Sequence, residues 1–457
     1  MNDKELMDTA SRAVEAAKKA GADQAEALIQ QASIFTVRVR EGKPDLVKQA
    51  TTRGLGLRVF TSGRPGFAST SDLRAESLAT LAGKAVSLSK AGENDPNAGI
   101  PEQVEAPKSA GELDIYDPEL VNLSTEKKIE MALATEAAAK GADPRINQVE
   151  GSSFNNTVAT ITLVNSGGVT RQYRTTVAGI QTRALVDDTG GKKQDGGYGS
   201  QKRFLKDLES PEFVGKEAAK LALEKLGPVK ISTRKAPVLM HPDIAAGWIS
   251  NMAGAFSGEQ VFKKSSWLTE KMGQSVGSVL VTLLDDGVMP RGTATVPFDG
   301  EGQATRRNVL LDKGVVTTFL YDTYNARKAG AKSTGSAQRG YDSVPGIGTR
   351  NLYIENGTST LEEMLNAYPA LFYMKDQGAF GYNPVTGDYS YAAAGLWIEK
   401  GKVVHPVDEI TVASNSLEML QKVVKVGNDL KWDGNTNAPH ILIEEMTISG
   451  AAEDAAG

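Results

Sequence analysis

The sequence predicts an α+β protein with two parts: an N-terminal α+β domain built on an internal two-fold repeat, and a C-terminal, mostly antiparallel β domain, curled or barrel-like, with one core helix. Three observations lead there. A pattern of helix, three strands and helix occurs twice within residues 1–228, in halves of about 1–90 and 113–228. From about 236 to 450 the chain changes to short alternating segments separated by glycine turns. There are 47 glycines, as a turn-rich β protein requires. The expected domains are 1–228 and 229–457.

Residues 4–20 place Leu6, Ala10, Ala13, Val14, Ala17 and Ala20 on one helical stripe, and Gly21 ends the helix. Phe35, Val37 and Val39 then alternate with Thr36, Arg38 and Arg40, the mark of a half-buried strand. "EGKPD" reads as a turn, and "GLGLRVF" (54–60) and "GFASTSD" (66–72) as two more strands around "TSGRPG". A helix follows at about 75–90, then a linker over 90–112. The second copy starts with a helix at about 124–140. It continues with strands in "TVATITLVNSGG" (157–168) and "GIQTRALVDD" (179–188), a glycine-rich turn "TGGKKQDGGYG", and a helix near 211–226.

The C-terminal part opens on "VLMHPDIAAGWISNMAGAF" (238–256). Pro242 suits the first helical position, where its missing N–H costs nothing, and Asp243 suits the helix dipole. Ile244, Trp248, Ile249, Met252, Ala253 and Phe256 form one apolar stripe, so the segment reads as a core helix. "LLDKGVV" and "WIEKGKVV" read as hairpins, and one helix near 415–425 interrupts the strands.

Composition excludes several chemistries. The chain has no cysteine, which removes disulfides, thiolate metal ligands and a cysteine nucleophile. Its three histidines, His241, His405 and His440, are far apart in sequence, so a multi-imidazole site would require their convergence. A net charge of −5 with interspersed signs argues against nucleic-acid binding. The N-terminus lacks the basic and apolar regions of a signal peptide, and no window is apolar enough to span a membrane. A cytoplasmic protein is expected.

Four stretches carry candidate chemistry. His241 followed by an acid and a helix resembles the start of a zinc-protease helix, but Ala245 and Ala246 stand where a second histidine ligand would. Ser257, in "GAFSGE", does not match a nucleophile elbow; Ser257-Gly258 is either a turn or a hydrolytic site. Asp285, Asp286, Asp299 and Glu301 are a pool of carboxylates for a cation or for acid–base work, or else turn residues, with Arg306 and Arg307 available to pair with them. In 380–401 small residues sit among Tyr389, Tyr391 and Trp397, which suits either tight strand packing or a peptide adding along an edge. There is no P-loop and no complete dinucleotide fingerprint.

The pieces "GLGLRVF", "AGAFSGEQVFKKSSWL", "DDGVMPRGTATVPFDGEGQATRRNVLLDKGVVTTFLYDTYNARKAG", "NPVTGDYSYAAAGLWIEKGKVVHPVDEITVA" and "VGNDL" together resemble the TldD/PmbA family, often named modulator of DNA gyrase. The resemblance runs nearly end to end. It implies one of two branches: TldD-type subunits with a zinc-binding H-E-x-x-x-H helix and a later cysteine ligand, or PmbA/TldE-type subunits without them. Laid on this chain, the motif would cover Pro242, Asp243, Ile244, Ala245, Ala246 and Gly247, so neither histidine position is filled. The resemblance therefore implies a PmbA/TldE-type, non-catalytic subunit that holds no cofactor. Its partner would be a TldD-type zinc subunit in a heterodimeric protease acting on unfolded peptides. Substrate contacts are expected at Ser257, Gly258, Asp299, Glu301, Gly387, Asp388, Tyr389, Tyr391 and Gly395. A homodimeric peptide-binding module and a hydrolase with its own site near Ser257 and Glu301 are the alternatives.

Overall fold

The computed structural model describes residues 1–102, 104–378 and 381–450. Gln103 of the expected linker, Phe380 at the head of the 380–401 stretch, and residues 451–457 of the expected second domain lie outside the described residues.

The first half-repeat is α1 (Asp3–Lys19), β1 (Gln24–Arg40), β2 (Lys43–Thr61), β3 (Arg64–Thr70) and α2 (Ala75–Ala91). The second is α3 (Thr125–Gly141), β4 (Ile146–Asn165), β5 (Thr170–Asp187), β6 (Lys193–Lys202) and α4 (Pro211–Leu223). The six strands form one antiparallel sheet in the order β3-β2-β1-β4-β5-β6. The two first strands of the halves are central neighbours, which gives the repeat its two-fold relation. A capping box between Asn2 and Glu5 starts α1, and its stripe of Leu6, Ala10, Ala13, Val14 and Ala17 is buried.

The strands run well beyond the alternating segments. β1 has 17 residues and β2 has 19. The turn between them is only Glu41-Gly42, with φ of 54° and 73°, so Lys43, Pro44 and Asp45 belong to β2 rather than to the turn. The reason is exposure: β2 is open to solvent from Lys43 to Gln49, where alternation carries no burial signal. "TGGKKQDGGYG" is also mostly strand, not turn, because Lys193–Lys202 is β6. Gly196 lies directly beneath α4, where a Cβ would come within 2.3 Å of Ala218 O and Ala222 N.

The C-terminal part contains β7 (Arg234–Met240), α5 (Pro242–Met252), β8 (Leu283–Asp286), β9 (Arg307–Asp312), β10 (Val315–Val316), β11 (Asn351–Ile354), β12 (Ala370–Gln377), β13 (Asp388–Glu399), β14 (Lys402–Asn415), α6 (Ser416–Gln421), β15 (Val423–Val426) and β16 (Ile441–Ser449). Strands β7, β12, β13, β14 and β16 close into a ring, with β14 bonded to both β13 and β16. All these pairings are antiparallel except β7 with β12. The expected barrel is therefore present. Both expected hairpins turn at Lys-Gly pairs with positive φ, Lys313-Gly314 and Lys400-Gly401. A second sheet carries β10, β9, β8 and β11 in that order.

Helix α5 is buried between these sheets. Trp248, Ile249 and Phe256 share one core with Phe372 and Ile441 of the barrel and with Leu283 and Leu352 of the second sheet. Short helices at Gly258–Phe262, Thr323–Ala329 and Leu361–Leu365 add to the single interrupting helix expected.

Candidate functional site

Strand register builds a cluster at the start of α5. Met240 pairs with Ile441, so the next residue on each antiparallel strand, His241 and His440, face one another. Their ring centroids are 5.5 Å apart. Tyr373 arrives from β12, whose parallel register places it opposite Leu239. The Tyr373 hydroxyl lies 2.7 Å from His440 Nε2, and His440 Nδ1 lies 2.5 Å from an Asp429 carboxylate oxygen. A carboxylate only accepts, so Nδ1 carries the proton, and Nε2 accepts from the Tyr373 O–H.

Burial opposes the Asp429 anion, yet the hydrogen bonds from His440 outweigh it and hold the carboxyl below its ordinary range. Burial, then the negative charges of Glu224, Asp429 and Asp243, push the Tyr373 phenol up, so it stays a donor. His241 caps the helix, its Nδ1 accepting from the Asp243 N–H at 3.3 Å. The Asp243 carboxylate lies 3.4 Å from the same nitrogen and is largely exposed to solvent.

His241, Asp243 and Asp429 form part of the wall of a cleft of about 850 Å³ between the N-terminal sheet and the C-terminal part. Gln181, Tyr198 and Phe213 face it from the N-terminal side, and Asp243, Ala246 and Lys431 from the C-terminal side. Lys431 bridges the two sides, bonding Glu209 at 2.8 Å and the Tyr198 hydroxyl. A smaller hollow of about 280 Å³ shares His241 and Asp243 and continues to Gly395 and Leu396. The groove is thus flanked by both halves of the chain and mixes polar with apolar side chains.

Of the residues expected to contact substrate, only Gly395 reaches this groove. Ser257 sits between two helical turns, and among the described residues its hydroxyl bonds to no histidine. A Cβ at Gly258 would come 2.0 Å from the Tyr321 ring, so packing accounts for that glycine. Asp299 accepts from the N–H groups of Glu301, Gln303 and Ala337, while Glu301 is paired with Arg58 and accepts from Thr323 N–H. Both carboxylates are buried structural acceptors, and Ser257 and Glu301 do not form a hydrolytic pair. Gly387, at φ 79°, makes a turn that Asp388 ties to Thr386 and Asn415. Tyr389 and Tyr391 point into the barrel core. The expected peptide-binding edge at 388–395 is already used: β13 pairs with β14 on one side and with β12 and the bonds Ser390 N–H to Gly381 O and Gly378 N–H to Ala392 O on the other.

The sequence singles out His241 and His440 among three histidines that would have to converge, but not Asp429 or Tyr373. Strand register brings His440 and Tyr373 to His241, and Asp429 comes from the loop that follows β15. For Asp429 the available signal is the "VGNDL" stretch that carries the resemblance.

Three family models cover most of the chain: PmbA/TldA metallopeptidase domain 1 at residues 25–89, the central domain at 118–226 and the C-terminal domain at 233–450. The chain is 32% identical to the metalloprotease PmbA of Escherichia coli O157:H7 over 428 residues, 94% of this chain and 92% of that one. The chain belongs to the PmbA/TldD family. A PmbA homologue from Haemophilus influenzae is also 32% identical, over 98% of this chain and 97% of its own, and a TldD homologue from the same organism is 25% identical over 87% of each. A Bacteroides thetaiotaomicron protein assigned as a modulator of DNA gyrase superposes with a TM-score of 0.90 at 26% identity, covering 98% of this chain and all of its own. TldE from Thermococcus kodakarensis shares the fold, with a TM-score of 0.87 at 22% identity over 97% of this chain and all of its own.

The family's metallopeptidase character makes zinc the ion to test against these residues. The motif positions fall on α5, and Pro242, Asp243 and Ala246 of that face line the cleft. No group of three histidine, cysteine, aspartate or glutamate side chains able to hold a metal occurs among the described residues. His440 has both nitrogens engaged, and His241 Nδ1 caps the helix. The residues present do not fit a catalytic zinc ion, which needs three convergent ligands and an open position. No helix of the described residues is long and apolar enough to cross a membrane.

Proposed function

We propose that the chain is a non-catalytic, PmbA/TldE-type subunit of a zinc metalloprotease complex. In this reading it helps to enclose and bind an unfolded peptide, while a TldD-type partner supplies the zinc and the chemistry, in the cytoplasm. The observation that carries the reading is the start of α5. The helix keeps its place at the wall of the cleft, but its ligand positions are Pro242 and Gly247, and the nearby His440 is locked between Asp429 and Tyr373. The cleft meeting the smaller hollow at His241 supports the peptide-holding role.

The test is reconstitution. The purified chain is mixed with a TldD-type subunit, and cleavage of an unfolded peptide is followed. The expected result is cleavage by the mixture, co-elution of the two chains, and no cleavage by this chain alone with or without zinc. Full activity of the TldD-type subunit by itself, with no complex formed, would refute the proposal, as would zinc-dependent cleavage by this chain alone.

A further inference from the structure

A second cleft, of about 770 Å³, lies where β1, β4 and β5 meet the loops of the C-terminal part. Its wall is of two kinds. One side is apolar: Leu28, Ile161 and Phe298, with Tyr173 set edge-on against Phe298 at 5.0 Å between centroids. The other is cationic, carrying Arg203, Arg339 and Arg350.

These three guanidinium groups differ in how their charge is met. Arg339 is paired with Glu26 at 2.5 Å. Arg203 is buried, and donates only to the carbonyls of Gly292, Thr176 and Thr295 and to the Thr175 hydroxyl. Arg350 donates from Nη2 to Ala337 O, and its Nε is buried without a partner. Neither Arg203 nor Arg350 has an ion pair among the described residues. Burial alone brings Arg203 down to about 10, the sign of a cation short of counter-charge. Asp299 is also on the wall, but it accepts from three backbone N–H groups. The Tyr173 hydroxyl makes no hydrogen bond among the described residues, and burial keeps it protonated despite the nearby charges of Arg350 and Arg203.

We propose that this cleft binds a small organic carboxylate with an apolar body. The carboxylate sits on Arg350 and Tyr173 with the charge of Arg203 behind them, and the body lies on Leu28, Ile161 and Phe298. Arginine's planar fork matches a carboxylate in two parallel bonds, and a phenol O–H adds a third donor. Arg203 is the buried cation without counter-charge, a costly state that the anion relieves, while Arg350 is half-buried and also feels the carboxyls of Asp285 and Asp299. The cleft is of ordinary size for a small-molecule site. The inference is independent of any protease partner.

Calorimetric titration of the whole chain tests it, with N-acetylphenylalanine, its amide and inorganic phosphate as probes. The acid is expected to bind at least about tenfold more tightly than the amide, since charge-assisted bonds are lost with the carboxylate. Tyr173→Phe and Arg350→Gln are each expected to weaken the acid severalfold without changing the amide. Should Arg350→Gln fail to fold, Tyr173→Phe, which deletes only one oxygen, still decides. Equal affinity for acid and amide, no binding of the acid, or unchanged affinity in a folded variant would overturn the proposal. Competitive displacement by phosphate at equal concentration would overturn it too, leaving a plain oxyanion site.

Discussion

Both terminal nitrogens of Arg58 lie 3.0 Å from one oxygen of Glu301, and this pair fastens β2 of the N-terminal sheet to a loop of the C-terminal part. Arg58 also bonds Glu26, and Glu26 bonds Arg339, so two cations and two anions are buried in one chain of contacts. Burial works against the Glu301 anion, but the Arg58 charge and the hydrogen bonds of Thr323 and Arg58 outweigh it and hold its pKa below the ordinary value.

The Glu301→Gln variant leaves Arg58 and Arg339 facing Glu26 alone. Removing one partner of a buried ionic network strands a charge, so the expected loss in unfolding free energy is about 3–5 kcal/mol. Urea unfolding measures it. A loss below about 1 kcal/mol would show that solvent or another group meets the Arg58 charge.

A pH dependence of stability follows from Asp285. Burial raises its carboxyl to about 6 from an ordinary 3.8, and its Oδ2 has no partner. The folded state therefore holds the proton more tightly than the unfolded state. That contribution is complete below about pH 4 and is lost as pH rises through about 6. Asp299, raised to about 7 by burial and the Glu301 charge, acts in the same direction. The wild type is expected to lose stability between pH 4 and 7. Asp285→Asn keeps an oxygen for the Arg350 N–H and removes the charge, so at pH 8 it is expected to gain up to about 3 kcal/mol over the wild type. Unfolding midpoints at pH 4 and pH 8 for both proteins check this; an identical pH slope would refute it.

What could be read from the sequence was what burial patterns. α1 and α5 have one buried stripe each, and both stand where the stripe put them. The exposed arms of β1 and β2 have no buried face to alternate, so their length was hidden. The Thr323–Ala329 helix is too short for periodicity, although Asp322 as N-cap and Gly330 as its left-handed end were there to be read. The site itself depends on Met240 pairing with Ile441, a register that neither strand's own sequence specifies.

Two glycines with different surroundings separate packing from propensity. At Gly395 an added Cβ would sit 2.0 Å from Tyr373 O, within the sheet that presents Tyr373 to His440. Gly395→Ala must push β12 and β13 apart, and is expected to cost at least about 1–3 kcal/mol. Gly247, inside α5, meets nothing within 4 Å, so Gly247→Ala is expected to stabilise by about 0.5–1 kcal/mol through the backbone alone. Thermal and urea unfolding of the two variants check the opposite signs. A neutral Gly395→Ala would mean that the bulge in β13 absorbs the methyl group.

The Tyr373–His440–Asp429 chain predicts how the imidazole responds to metal. With Nδ1–H donating to Asp429 and Nε2 accepting from Tyr373, His440 has no free lone pair to offer. Added zinc, or a chelator, is therefore expected to leave the His440 ring resonances in place. It is also expected to shift the unfolding free energy by less than about 0.5 kcal/mol, since a ligand stabilises only by binding the native state. Tyr373→Phe removes the donor to Nε2 while Asp429 still fixes the tautomer, so in that variant alone the Nε2 lone pair becomes open to metal. Nitrogen-resolved NMR of the histidine rings distinguishes the two forms. A stoichiometric, chelator-reversible shift of wild-type His440 would mean that the cluster exchanges its internal hydrogen bonds for a metal bond, and the non-catalytic reading of α5 would fall with it.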